Sequence, residues 1–267
     1  MRLTRIAAIV LRQFYLIRGS LSRVMPLFVW VGVDMVLWGF MSRYLNSVTS
    51  SDLNFVPTLL GAVLLWDFFS RVMQGVTMAF FEDVWTRNFL NMFATPLRIT
   101  EYVGGLVLSS IATSSIGLVF MLALATAVFG LSFFSYGVLL IPALLVLFLF
   151  GIAMGIAATA MVMRLGPSAE WFVWPIPALM APFASVYYPL STLPRWMQWV
   201  AHLLPPSYVF ENIRSVVNHG SVSWAGLAVG ATLAIVYVLL ASFFFSVMYR
   251  KGVRTGLIAR YTAEGVS

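Results

Sequence analysis

Runs of about twenty residues with almost no polar side chain recur six times along this chain, over about 24–42, 56–81, 103–129, 137–163, 170–188 and 222–249. A helix crossing the roughly 30 Å hydrocarbon core of a bilayer needs about 20 such residues, so the pattern predicts six transmembrane helices. Ahead of the first run the spacing turns amphipathic. Leu3, Ile6, Ala7, Val10, Leu11, Phe14, Ile17 and Leu21 repeat at helical period, and Arg2, Arg5 and Arg12 lie away from that stripe. This predicts a helix within 1–23 lying in the membrane interface, its arginines toward anionic headgroups. Gly19-Ser20 and Pro26 favour a break before the first span over one continuous helix. The apolar run IAAIVL is too short for a signal peptide, and no small-residue cleavage site follows it. The remainder, 24–267, is expected to be the six-helix transmembrane domain.

The pattern is interrupted at FFEDVWTRNFLNMFATPLRITEY, residues 80–102. From Glu82 onward, Trp85, Phe89, Met92, Phe93 and Pro96 recur at roughly helical spacing, and Glu82, Asp83, Thr86, Arg87 and Asn91 occupy the remaining surface. Glu82 and Asp83 suit a helix N-terminus through the dipole. Pro96 cannot continue a helix and biases Thr95 toward extended backbone. Thr100 is then the expected cap of the third span, with Glu101 in its first turn. The pattern predicts a short loop helix over about 82–96 that presents aromatic and charged side chains together. On periodicity alone it could equally be an interfacial linker with no partner. A second irregular segment, 189–217, contains Pro194, Pro205, Pro206 and the amphipathic stretch RWMQWVAHLL. It reads as two short re-entrant helices, with a plain extracytoplasmic loop as the alternative.

Composition sharpens the class. The chain is 61% hydrophobic and 9% charged, against about a quarter charged in ordinary soluble domains, which excludes a soluble protein. The net charge of +7 raises nucleic acid as a partner, but the distribution removes it. Twelve of the sixteen basic residues fall at the two termini, between spans two and three, or after span four; three (Arg43, Arg195, Arg214) fall on the other side, and Arg71 lies inside a span. By the positive-inside rule both termini and the 82–96 loop are expected in the cytoplasm. There is no cysteine, and the two histidines are His202 and His219. Disulfides and Cys/His metal sites are therefore not expected, and His202 reads as an interfacial residue.

Charges inside spans are candidate functional groups by default. Asp67 and Arg71 stand at i and i+4 with the acid first, the favourable order. They suit either mutual neutralisation facing the bundle interior or a polar lining of a path. Asp34 in the first span has no partner on its own helix, and Arg71 is the one that could be shared with it. Pro175, Pro177, Pro182 and Pro189 loosen the fifth span, which is tolerable where the backbone is buried or lines a cavity. Gly151-x-x-x-Gly155 and Gly226-x-x-x-Gly230 permit close helix approach. Trp30, Trp38, Trp196, Trp199, Tyr187 and Tyr188 fit aromatic belts at the two interfaces.

The segment NFLNMFATPLRITEYVGG resembles the first cytoplasmic loop of ABC-2 type permeases, the membrane subunits of type V ABC exporters. ASVYYPLSTLPRWMQWVAHLLPPSYVFENIRSVV, residues 184–217, resembles that family's segment after span five, with Leu193-Pro194, Pro205-Pro206, Tyr208 and Ile213-Arg214 in order. The order of elements fits along essentially the whole chain. The resemblance implies that about 82–96 is a coupling helix docking in a groove of an ATPase subunit, with Glu82, Asp83, Trp85, Arg87 and Phe89 as coupling residues. It further implies a homodimer with two copies of a cytoplasmic ABC ATPase, in an inner (plasma) membrane. The translocation path would lie at the dimer interface near spans one, two and five, where Asp34, Asp67, Arg71, Tyr187, Tyr188 and Tyr208 are candidate path or interface residues. Aromatic residues line the channel in polysaccharide exporters of this family. The chain contains no G-x-x-x-x-G-K-[ST], and its only lysine is Lys251; ATP and Mg would be held by the partner, with no cofactor on this chain and no catalysis by it.

The expectation is a permease subunit of an ATP-driven exporter moving an amphipathic cargo, such as a lipid-linked glycan, a lipid or a hydrophobic drug. An ion-coupled secondary transporter using Asp34, Asp67 and Arg71 is the alternative, although no inverted repeat is visible. An intramembrane enzyme lacks convergent nucleophiles or metal ligands.

Overall fold

Helix α1 (Leu3–Arg18) stops where Gly19 and Ser20 interrupt the helical period, and α2 (Leu21–Val48) begins immediately after, so the expected break is present. The computed structural model describes residues 2–48, 56–86, 88, 91–92, 94–165, 169–218 and 220–255, and among these there is no strand. The other long helices are α3 (Gly61–Trp85), entered through a π turn at Val56–Leu60, then α4 (Ile99–Phe129) and α5 (Leu140–Leu165). Short helices α6 (Glu170–Val173), α7 (Ile176–Met180), α8 (Arg195–His202) and α9 (Pro205–Val217) lead to the last long helix, α10 (Trp224–Arg254).

The core forms along α3, whose Leu64, Phe69, Met73, Val76 and Phe80 are fully or almost fully buried. Helix α5 lies against it and separates it from α10. The Gly151-x-x-x-Gly155 pair accounts for the closeness of α3 and α5. A Cβ built on Gly155 would stand 2.8 Å from the Met73 carbonyl oxygen and 2.9 Å from Val76 Cβ, so only glycine lets the two backbones meet here. In lipid, where no hydrophobic effect drives helices together, such backbone proximity supplies dispersion contact instead.

Among the described residues five helices are long and apolar enough to cross a membrane: Leu21–Val48, Val56–Trp85, Ile99–Phe129, Tyr136–Leu165 and Trp224–Arg254. The expected fifth span over 170–188 is not a single helix. Helices α6 and α7 are separated by turns at Trp174 and Pro175, and turns and bends follow α7 through Tyr188. Pro175, Pro177 and Pro182 explain this, since each removes an amide donor and crowds the carbonyl one turn back. The following segment does hold two short helices, as expected. Helix α9 pins the end of the broken stretch: Arg214 donates to the Ser185 carbonyl at 2.8 Å, and the Leu190 amide donates to Glu211 at 2.7 Å. Ser185 itself sits in the left-handed region (φ 54°), a conformation costing about 1–3 kcal/mol in a non-glycine residue unless its surroundings impose it.

Two local expectations fail for stated reasons. The stretch from Glu82 does not begin a new helix, because α3 continues without a break through Trp85. Thr100 does not cap α4: the cap is Arg98, in extended backbone after Pro96, and its amide donates to the Glu101 carboxylate at 3.1 Å. Glu101 is in the first turn as expected, and its carboxylate does the capping instead of a threonine hydroxyl.

Candidate functional site

Helix α1 crosses the ends of α3 and α4, and its contact face is set by small size and charge. A Cβ on Gly105 of α4 would lie 2.5 Å from Ile9 Cβ, so Ile9 seats directly on the α4 backbone. Ile6, Ile9 and Gln13 are the buried residues of α1, whereas Leu3, Leu11 and Phe14 of the apolar stripe are exposed. Arg5 and Arg12 stand at i−4 and i+3 from Ile9 and therefore point into the same contact. This corrects the expected direction of these arginines, which face carboxylates and not headgroups.

Those carboxylates lie at the end of α3 and the start of α4. Asp83 is completely buried; it accepts hydrogen bonds from both terminal nitrogens of Arg12, one at 3.0 Å, and from the Tyr102 hydroxyl at 2.7 Å. Glu101 accepts from the Arg2 amide at 2.8 Å and from Arg5 at 3.2 Å, besides capping Arg98. Glu82 is paired with Arg23, near the start of α2. Burial opposes the charge on Arg12, but Asp83 outweighs it, and the guanidinium holds its proton more tightly than usual. A buried carboxylate is tolerable only with such donors around it. Three ion pairs thus lock α1, the start of α2, the end of α3 and the start of α4 into one unit on either side of the 86–98 loop.

The expected coupling residues divide. Asp83 is an internal anchor and not part of an exposed face. Glu82 is engaged by Arg23 and partly exposed. Trp85 is half exposed, its ring stacked on Phe81 at 5.4 Å. Arg87 and Phe89 lie outside the described residues. Within the loop the Met92 amide donates to the Asn88 carbonyl at 3.0 Å, a helical bond, and the Thr95 hydroxyl donates to the Met92 carbonyl at 2.6 Å. Sequence reading missed Arg5, Arg12, Arg23 and Tyr102 as partners. The available signal was that Glu82, Asp83 and Glu101 are surrounded in topology by the arginines of residues 1–23.

A second constellation lies among the long helices. The Arg71 Nε donates to Asp67 at 2.7 Å, as the i,i+4 spacing predicts. Arg71 rests on α4 at Gly117, where a Cβ would be 3.4 Å from its Cδ. Asp34 of α2 is in electrostatic reach of both Asp67 and Arg71. Tyr187, from the broken stretch, is in reach of Asp34 and Asp67, and its ring stacks on Trp38 at 5.4 Å with 9° between planes. Trp38 and Tyr187 are therefore partners in a contact between two elements. The other two candidates are elsewhere. The Tyr188 hydroxyl donates to the Pro182 carbonyl at 2.7 Å, within its own segment. The Tyr208 hydroxyl donates to the His202 carbonyl at 2.9 Å, with its ring against Gly230 of α10. Among the described residues no group of His, Cys, Asp and Glu could hold a metal ion.

Compared with known proteins, residues 4–218 match a family model described as ABC-2 type transporter, which covers both constellations. No curated protein matches the chain.

Proposed function

Because the chain belongs to the ABC-2 type transporter family, a family of transport permeases and not of catalysts, we propose that it is the membrane subunit of an ATP-driven exporter. In this reading two copies assemble with two copies of a cytoplasmic ABC ATPase, which supplies the ATP and Mg sites. The α1 end of the bundle lies on the cytoplasmic side of the inner membrane, and both termini share that side. The cargo is amphipathic: a lipid, a lipid-linked glycan or a hydrophobic drug.

The observation that carries this reading is the ion-paired unit around the 86–98 loop. A loop that receives force from a partner needs a rigid mount, and buried charge pairs of fixed geometry provide one. Arg12–Asp83 and Arg5–Glu101 would pass displacement of the loop into α1, and Arg23–Glu82 would pass it into α2. Trp85, exposed beside the loop, supplies an apolar contact of the kind that anchors interfaces. Orientation is supported by the basic residues concentrated at this end. A six-span path is supported by the broken stretch, which runs from Ile176, sharing a cavity with Arg164 and Leu165, to Tyr187 on Trp38. The polar cluster between α2 and α3, near that stretch, lines the path, and a second copy along the exposed face of α2 closes it.

The test is co-expression with the candidate ATPase, followed by purification of the complex and assay of transport in vesicles. Trp85→Ala and Arg87→Glu are expected to abolish transport while leaving membrane insertion and protein amount unchanged, since mismatched charge at an interface costs several kcal/mol. Full transport by the double variant would show that no partner docks here.

A further inference from the structure

We propose that the constellation of Asp34, Trp38, Asp67, Arg71 and Tyr187 is a binding site for an organic cation, so that the exported cargo carries positive charge on an apolar body. The proposal rests on the exporter reading for the word cargo, but the site itself is argued from geometry.

The charges do not balance. Arg71 is committed to Asp67 by a 2.7 Å hydrogen bond and is held against α4 at Gly117. Asp34, one turn before Trp38 on α2, shares their field, yet among the described residues no ion pair or hydrogen bond reaches its carboxylate. With both acids ionised, two carboxylates against one guanidinium leave one negative charge in excess among the membrane helices. Ionisable groups there are costly unless paired or facing a water-filled cavity, so the excess selects for a positive ligand and against a negative one.

The aromatic pair gives that ligand a wall. Trp38 and Tyr187 stack nearly parallel from two different elements, and Tyr187 is 38% exposed. A cation over the face of Trp or Tyr is attracted by the ring quadrupole, more strongly when it sheds water. Tyr187 lies in electrostatic reach of Asp34 and Asp67, and Asp34 stands one helical turn before Trp38 on α2, so the rings and the carboxylates are neighbours. Apolar groups around the cationic centre would lie against the exposed part of the Tyr187 ring, whereas a strongly hydrated metal ion would lose its water for few oxygens. An amphipathic organic cation therefore fits better than an inorganic one.

The experiment uses the full chain, without nucleotide or ATPase, in nanodiscs of zwitterionic phosphatidylcholine, so that lipid charge adds nothing. Binding of tetraphenylphosphonium is measured by equilibrium dialysis, with tetraphenylborate as the probe of equal shape and opposite charge. For each probe the uptake by protein-free nanodiscs of the same lipid is subtracted, because the interfacial dipole potential favours the borate in lipid. Saturable, protein-dependent binding of the phosphonium and no protein-dependent binding of the borate are expected. Asp34→Asn should weaken the phosphonium about 10–100-fold, the loss of one charge-assisted contact, and Trp38→Leu should weaken it through the wall alone. Equal protein-dependent binding of the two probes by the unmodified protein overturns the proposal without recourse to any variant, as does undiminished binding by a folded Asp34→Asn protein. Because no ATPase is present, failure here leaves the exporter reading standing. Failure of the Trp85 and Arg87 test likewise leaves this site standing.

Discussion

Removing Arg12 should destabilise the protein more than removing the charge it serves. Asp83 has no exposed surface, and its carboxylate is held by two guanidinium hydrogen bonds and one from Tyr102. In Arg12→Ala that carboxylate keeps its burial and loses its counter-charge. Breaking a buried pair from one side typically costs about 3–5 kcal/mol. Arg12 is 26% exposed, so water or headgroups already screen part of the pair, and the expected cost falls to about 2–4 kcal/mol. Asp83→Asn should cost about 1–2 kcal/mol: the amide oxygen still accepts from Tyr102, and the long Arg12 side chain can turn outward to headgroups. The double variant should cost less than the sum by roughly 1–2 kcal/mol, within the range seen for directly bonded partners. The assay is reversible unfolding in mixed micelles with increasing fractions of sodium dodecyl sulfate, followed by helical circular dichroism. Additivity of the two substitutions to within about 0.5 kcal/mol would refute the pairing. A larger cost for Asp83→Asn than for Arg12→Ala would refute the argument that the buried carboxylate is the expensive partner.

Two further outcomes follow from other contacts. Asp67→Asn and Arg71→Gln should each reduce the monodisperse yield in detergent, and the double variant should recover much of it, because one unpaired charge costs more than none; recovery of folding without transport would place the pair on the conduction path. Gly155→Ala should cost about 1–3 kcal/mol in the same unfolding assay, as overpacked positions do, because its Cβ would press on the Met73 carbonyl; a neutral result would mean that α3 and α5 can separate freely.

Much of the fold was legible because its causes are local. Membrane helices must satisfy their own backbone and match the bilayer in length, so long apolar runs marked all five continuous spans to within about six residues at either end. Gly19-Ser20 marked the end of α1, and the prolines marked both the loosened 170–188 stretch and the short helices after it. The family could be inferred from the order of elements, and the match over residues 4–218 bears this out.

What sequence could not decide was which faces meet. A helical period shows that Arg5, Ile9 and Arg12 share a side, but not that the side turns to α4. That choice was made by Gly105, where the absence of a Cβ lets Ile9 reach the backbone. Once α1 sits there, Arg12 meets an aspartate 71 residues away, and Asp83 passes from an expected surface residue to a fully buried one. Asp34, Asp67 and Tyr187 likewise come within electrostatic reach of one another from three separate elements. Length and hydropathy are properties of each segment alone, whereas electrostatic pairing depends on distance in space. Distance between segments is set by how closely their backbones can pack.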